Sequence, residues 1–179
     1  LGMLGMHGTY AANKAVNKAD LIIAAGARFD DRVTGRLATF APKAKIIHID
    51  IDPTSIRKNV EVDVPVVGDC AMSLDGLHEV LRARDAEHPH DWAASHAEWI
   101  NQLREWHDAR PLTYSKDADG LKPQQVVEAV QRITEGKAVY TTEVGQNQMW
   151  AAQFLTITEP RTFITSGGLG TMGYGLPAA

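Results

Sequence analysis

The chain has 179 residues, 44% hydrophobic and 22% charged, with a formal net charge of −4, enough to bury one good core or two small ones. Mild acidity without a lysine or arginine cluster interleaved with aromatics excludes nucleic acid as a partner. A single cysteine, Cys70, excludes an internal disulfide framework, and no apolar run approaches the roughly 18 residues of a membrane span, so a reducing, cytoplasmic compartment without a membrane partner is expected.

The first element is a loop, Gly2-Met-Leu-Gly-Met-His-Gly8. His7 reads as a hydrogen-bonding loop residue, because no second ligand stands at metal spacing nearby. A helix is predicted over residues 10–18, and then a continuous apolar run over residues 19–27, ended by Gly26, reads as a buried parallel strand. Residues 45–52 and 62–67 are two more strands, with crossover lengths between them. These predict an α/β fold with a doubly wound, Rossmann-like parallel sheet.

Ligands of such sheets bind at the carboxyl ends of the strands. Arg28 with Asp30, Asp50 with Asp52, and Gly68 with Asp69 all fall there. A carboxylate so placed can accept from ribose hydroxyls or an adenine amino group, although any one of them taken singly is more simply an N-cap or turn residue. Within Arg28-Phe-Asp-Asp-Arg32, the guanidinium of Arg32 could fork onto the carboxylate of a 2-oxoacid, but a salt bridge to Asp30 or Asp31 is the plainer expectation from the residues alone.

Residues 71–84 predict a helix whose Met72, Leu74, Leu77, Val80 and Leu81 cover one sheet face. The polar, proline-broken stretch 85–91 starts a linker, and its His88 and His90, with His96 beyond, do not form a compact zinc signature. Trp92, Trp99 and Trp106 recur at intervals of seven on one predicted helix, with His96 and Leu103 completing a packing stripe. A second domain is expected from Gly120. There Pro123 opens a helix over residues 124–134, a strand over 137–142 delivers Glu143-Val-Gly-Gln-Asn-Gln148, and a helix runs through Leu155. A strand at 161–165 then leads into a loop with glycines at 167, 168, 170, 173 and 175. Gly168, Gly170 and Gly173 satisfy G-x-G-x-x-G, but the acidic residue expected about 20 positions on is not in the sequence, so the dinucleotide fingerprint is incomplete. Two such loops at neighbouring strand ends form one crevice whose amides could hold a diphosphate. The domains are therefore residues 1–90, a Trp-bearing linker helix at 91–119, and residues 120–179.

Four stretches, the loop at 2–8, Ala27-Arg-Phe-Asp-Asp-Arg-Val-Thr-Gly35, Val144-Gly-Gln-Asn-Gln-Met-Trp-Ala-Ala-Gln153 and residues 165–179, resemble in order the acetohydroxyacid (acetolactate) synthase family. The resemblance implies an internal piece of the catalytic subunit: most of a central FAD-binding domain, incomplete at its N-terminus, and the first part of a second α/β domain that binds thiamine diphosphate. It implies a carboligase that decarboxylates pyruvate and joins the two-carbon unit to a second 2-oxoacid, pyruvate or 2-oxobutyrate. FAD would be contacted by Met6, His7, Gly26, Ala27, Arg28, Phe29, Asp30, Asp50, Ile51, Asp69 and Cys70. Thiamine diphosphate would be lined by Val144, Gly145, Gln146, Asn147, Gly170, Thr171 and Met172, with Gln146 and Arg32 in catalytic roles and Met6, Asp31 and Arg32 along the substrate channel. In the family, magnesium is held by a Gly-Asp-Gly motif and a downstream Asn that this sequence lacks, so no metal site is expected here and the isolated chain is expected to be inactive. Homodimers or homotetramers, and a small regulatory subunit, are the implied partners. The family usually carries His at position 147 and often Gly or Asp at 143, so this chain departs at Asn147 and Glu143. Alternatives are another thiamine-diphosphate enzyme, such as glyoxylate carboligase or the FAD-free acetolactate synthase, and a non-catalytic nucleotide-binding module.

Overall fold

Runs of isoleucine and valine bounded by glycine or acid become the strands of the first of two units. The computed structural model describes residues 1–116 and 119–179 and divides into Leu1–Pro111 and Leu112–Ala179. In the first unit β1 (Leu21–Ala25), β2 (Lys45–Asp50) and β3 (Val64–Val67) form a sheet in the order β1-β2-β3. Both pairings are parallel, with Ile23 opposite Ile47 and Ile49 opposite Val66. The core gathers Ala24, Ile46 and Val62 around Phe29, whose ring meets Phe40 edge-on at 6.0 Å. Helix α1 (Tyr10–Lys18) is capped by Thr9, which accepts from the Ala12 N–H at 3.0 Å, and buries Ala11, Ala12 and Ala15. The short α2 (Asp31–Thr34) follows β1, and α3 (Cys70–Glu87) follows β3.

Two expectations are corrected here. Helix α3 meets the sheet chiefly at β2, and no residue of it is buried; Met72 is 76% and Val80 66% exposed. A helix of 18 residues is about 27 Å long at 1.5 Å per residue, whereas strands of four to six residues are only about 13–20 Å long, so the apolar stripe overruns the surface available. The single tryptophan helix is also broken. His96 leaves helical geometry at φ −105°, ψ 3°, separating α4 (Trp92–Ser95) from α5 (Ala97–Ala109). Trp92 therefore turns to its own surroundings, donating from Nε1 to Asp85 at 2.8 Å and stacking on His96. Trp99 and Trp106 keep the predicted packing role, edge-on to each other at 5.8 Å on a helix that lies against α1.

The second unit consists of α6 (Pro123–Ile133), β4 (Tyr140–Thr141), α7 (Gln146–Phe154) and β5 (Phe163–Ile164), with β4 and β5 parallel. The strands are shorter than the runs at 137–142 and 161–165. With one partner each, ladder bonding ends at Tyr140 N–H to Thr162 O (2.7 Å) and Thr142 N–H to Ile164 O (3.2 Å). Helix α6 packs on α7, and the Gln131 amide clamps Thr156 from both sides, donating to its carbonyl and accepting from its N–H, each at 3.0 Å. Tyr114 donates to Glu128 at 2.5 Å while its ring meets Phe154 edge-on. Parallel strands joined by helices make both units α/β. Among the described residues, no helix is long and apolar enough to cross a membrane.

Candidate functional site

In the first unit the three strand ends bring together the residues singled out in the sequence. The Gly26 N–H donates to Ile49 O at 2.9 Å and the Gly68 N–H to Asp50 O at 3.0 Å, so the turns after β1 and β3 both fold onto the end of β2. A Cβ on Gly26 would lie 3.8 Å from Cys70 Sγ. Gly26, Asp50 and Cys70 thus share one end of the sheet, with Ile51 beside them and 71% exposed. Asp69 and Asp30 meet the plainer expectation as N-caps. Asp69 accepts from the Met72 N–H at 3.0 Å; Asp30 accepts from the N–H groups of Arg32 and Val33 and also pairs with Arg28 at 3.1 Å. Asp52 closes a turn onto Thr54, whose N–H and hydroxyl hold its carboxyl below the usual range.

The loop at 2–8 joins the segment after β1 by close backbone approach. The Met6 N–H donates to Arg32 O at 2.7 Å, and a Cβ on Gly5 would come within 2.5 Å of that same oxygen, which only glycine avoids. Met6, Asp31 and Arg32 therefore lie side by side on the surface, Met6 71% exposed. Arg32 is paired with Asp31 through Nη1 at 2.9 Å. The plain salt bridge is what this chain forms.

His48 was not signalled as a site residue. It is fully buried on β2, edge-on to Phe29 at 5.2 Å, and neither ring nitrogen has a hydrogen-bond partner among the described residues; Asp50 Oδ2 is 3.9 Å from Nε2. Its signal was one polar residue inside Ile46-Ile-His-Ile49.

In the second unit both glycine-rich loops follow strand ends, as expected, and the side chain that joins them is Glu143. Its carboxylate accepts from the Gly173 N–H at 2.7 Å and the Gly175 N–H at 2.5 Å. These donors, Gly173 first, hold its carboxyl below the usual range, with smaller contributions from the N–H groups of Val144 and Leu176. A Cβ on Gly170 would lie 3.9 Å from Val144 Cγ1, so the two loop walls touch. Below them the Thr142 and Thr165 hydroxyls bond at 2.7 Å, and Gln148 donates to Thr165 at 2.8 Å. Helix α7 starts at Gln146 after Gly145, at φ 127°, and no side chain caps it. Gln146, Asn147, Gly170, Thr171 and Met172 are all exposed around this start, Met172 at 81%. An uncapped helix start presents N–H groups to an anion, which fits a diphosphate. A cavity of about 360 Å³ lies alongside, walled by Val126, Val130, Ala151 and Leu155, with Thr142 and Asn147 adding polar groups.

Residues 1–77 match the model of the thiamine pyrophosphate enzyme central domain, and residues 143–179 that of the C-terminal TPP binding domain of the same enzymes. Both models describe domains of thiamine pyrophosphate enzymes. The chain is similar along its whole length to acetolactate synthases. It is 49% identical to isozyme 3 of Escherichia coli strain K12, 49% to the acetolactate synthase of Mycobacterium avium and 48% to the chloroplastic enzyme of Arabidopsis thaliana. It spans 31%, 28% and 26% of those proteins, respectively. The first match contains every strand end described in the first unit. The second begins at Glu143 and contains both glycine-rich loops.

Proposed function

We propose that this chain forms part of a thiamine-diphosphate-dependent acetolactate synthase, which decarboxylates pyruvate and joins the two-carbon unit to pyruvate or 2-oxobutyrate. The observation that carries the reading is the pair of loops pinned together by Glu143 beside the uncapped start of α7, within the segment matching a TPP binding domain. Bound there, thiamine diphosphate supplies the stabilisation of negative charge that decarboxylation requires. The residues of this chain position it. The N–H groups opening α7, with the exposed amides of Gln146 and Asn147, hold the diphosphate end, and Asn147 offers a donor where the resembling family usually has histidine. Val144, Gly145, Gly170 and Thr171 wall the crevice, and Met172 is an unbranched, polarizable side chain able to fill the gap between the cofactor's two rings.

FAD belongs to the first unit in this reading. Met6, His7, the segment 26–30, Asp50, Ile51, Asp69 and Cys70 contact it at the carboxyl end of a sheet that is doubly wound and Rossmann-like in the whole domain. Asp50 accepts from a hydroxyl or amino group, while Asp30 and Asp69 order the neighbouring backbone as caps. Arg32 exchanges Asp31 for the carboxylate of the second 2-oxoacid, with Met6 beside it. Magnesium is bound by residues other than those of this chain. The working protein is a cytoplasmic homodimer or homotetramer, with a small regulatory subunit as a further partner. The test is to purify the intact protein, titrate it calorimetrically with thiamine diphosphate and FAD, and follow acetolactate formed from pyruvate. Binding of both cofactors with acetolactate production is expected. Activity without a flavin spectrum would move the assignment to an FAD-free synthase, and nucleotide binding without any turnover would overturn it.

A further inference from the structure

We propose that Glu143 is a positioning residue that latches the second glycine-rich loop of the thiamine-diphosphate site onto the first. The proposal rests on the cofactor reading above. It follows from what the carboxylate does. Both of its oxygens are occupied by backbone donors 30 and 32 residues away, Gly173 N–H on one and Gly175 N–H on the other. The loop's apolar side chains do little to hold it there: Leu169, Met172 and Leu176 are 93%, 81% and 86% exposed, and the Ser166 hydroxyl that accepts from the Thr171 N–H ties the loop only to itself. The backbone at Gly175 also comes so close that a Cβ would stand 2.7 Å from the Glu143 nitrogen. One acid thus supplies the acceptors that keep two loops in register before any cofactor arrives.

The latch also divides the donors. The N–H groups of Gly173 and Gly175 serve the protein, whereas those opening α7, which no side chain caps, are open to the diphosphate. Charge matters as well as shape, because a carboxylate accepts at both oxygens, whereas an amide would set its NH2 group against one of the N–H donors.

The experiment compares the intact protein with Glu143→Gln and Glu143→Asp, measuring thiamine diphosphate affinity calorimetrically and amide hydrogen exchange by mass spectrometry without cofactor. Losing the acceptor pair is expected to weaken cofactor binding about tenfold in Glu143→Gln, the scale of one charge-assisted hydrogen bond. Exchange should quicken in peptides covering residues 170–176 and stay unchanged over residues 45–50. Glu143→Asp, which keeps the charge but is one methylene shorter, should fall between the two. Unchanged or tighter binding in Glu143→Gln would overturn the proposal, tighter binding marking Glu143 as an internal competitor for the cofactor's place. Quickened exchange over 45–50 as well as 170–176 would overturn it too, reducing Glu143 to a general stabiliser. Failure of the unmutated protein to bind thiamine diphosphate would sink the functional reading itself, and the proposal with it.

Discussion

Arg32 shows how a side chain can be paired and still available. Its ion pair with Asp31 lies between groups 68% and 82% exposed, and pairs of that kind contribute about 0–1 kcal/mol. Exchanging Asp31 for a substrate carboxylate therefore costs little, while a bidentate contact to the substrate contributes about 1.5–3 kcal/mol. Arg32→Ala in the intact protein is accordingly expected to raise the KM for the acceptor 2-oxoacid about tenfold or more while leaving the first decarboxylation nearly unchanged. Equal losses in both half-reactions, measured by single turnover, would remove Arg32 from the substrate channel. Tyr114 makes a second case, one that turns on protonation. Its hydrogen bond to Glu128, with desolvation second, raises the phenol above its ordinary value of 10.0. A raised folded value means that the bond's contribution to stability is complete below the ordinary pKa and is lost as pH rises through the shifted one. The difference in thermal midpoint between the chain and Tyr114→Phe should therefore be constant through neutral pH and shrink only in strong alkali. A difference already fading at neutral pH would show that the bond is not maintained in solution.

The strand-end loops are the elements on which the site depends, and their glycines are not equivalent. Gly175 approaches Thr142 and Glu143 so closely that a Cβ would meet backbone atoms at 2.7–3.0 Å, whereas a Cβ on Gly167 would meet only Thr165 Cγ2 at 3.9 Å. Gly175→Ala must push the loop off its seat, at a cost of about 1–3 kcal/mol, and is expected to depress thiamine diphosphate binding. Gly167→Ala should leave both stability and binding almost unchanged; equal effects from the two, in thermal unfolding and calorimetry, would mean the loop is seated differently. Most of this architecture was legible in the sequence. Continuous apolar runs ending in Gly26 and Asp50 mark parallel strands, and glycine after a strand marks the loops. What was not legible depended on contacts outside the pattern. Heptad spacing set Trp92 in line with Trp99 and Trp106 but carried no sign of the turn at His96. Spacing alone also made a core face of Met72 and Val80, because the extent of the sheet beneath a helix is not written in the helix. Glu143 looked like one polar residue of a loop, since its partners stand 30 and 32 positions on.

At the scale of the whole molecule, each unit carries its own site residues and leaves much apolar surface in water. In the first unit β1 and β3 each pair with one neighbour among the described residues, and Leu21, Ile23, Val64 and Val67 on them are 47–59% exposed. Open strand edges flanked by exposed β-branched and leucine side chains are templates for further pairing. In the second unit, α6 likewise leaves Val126, Val130 and Ile133 exposed at 44%, 42% and 77%. The 179-residue chain produced alone is therefore expected to self-associate at micromolar concentration, seen as concentration-dependent mass in sedimentation velocity, and the association should weaken when Ile23 and Val64 are both changed to Lys. It is also expected to form no acetolactate from pyruvate with thiamine diphosphate, magnesium and FAD supplied. The sequence contains no Gly-Asp-Gly triplet to hold the metal against the diphosphate, and the chain corresponds to at most 31% of the synthase subunits compared above. Cofactor binding to the second unit without turnover would fit this division of labour, in which these residues position the cofactor and other residues complete the chemistry. A monodisperse, catalytically active chain would overturn it, and would require the metal ligands to be found among the residues described here.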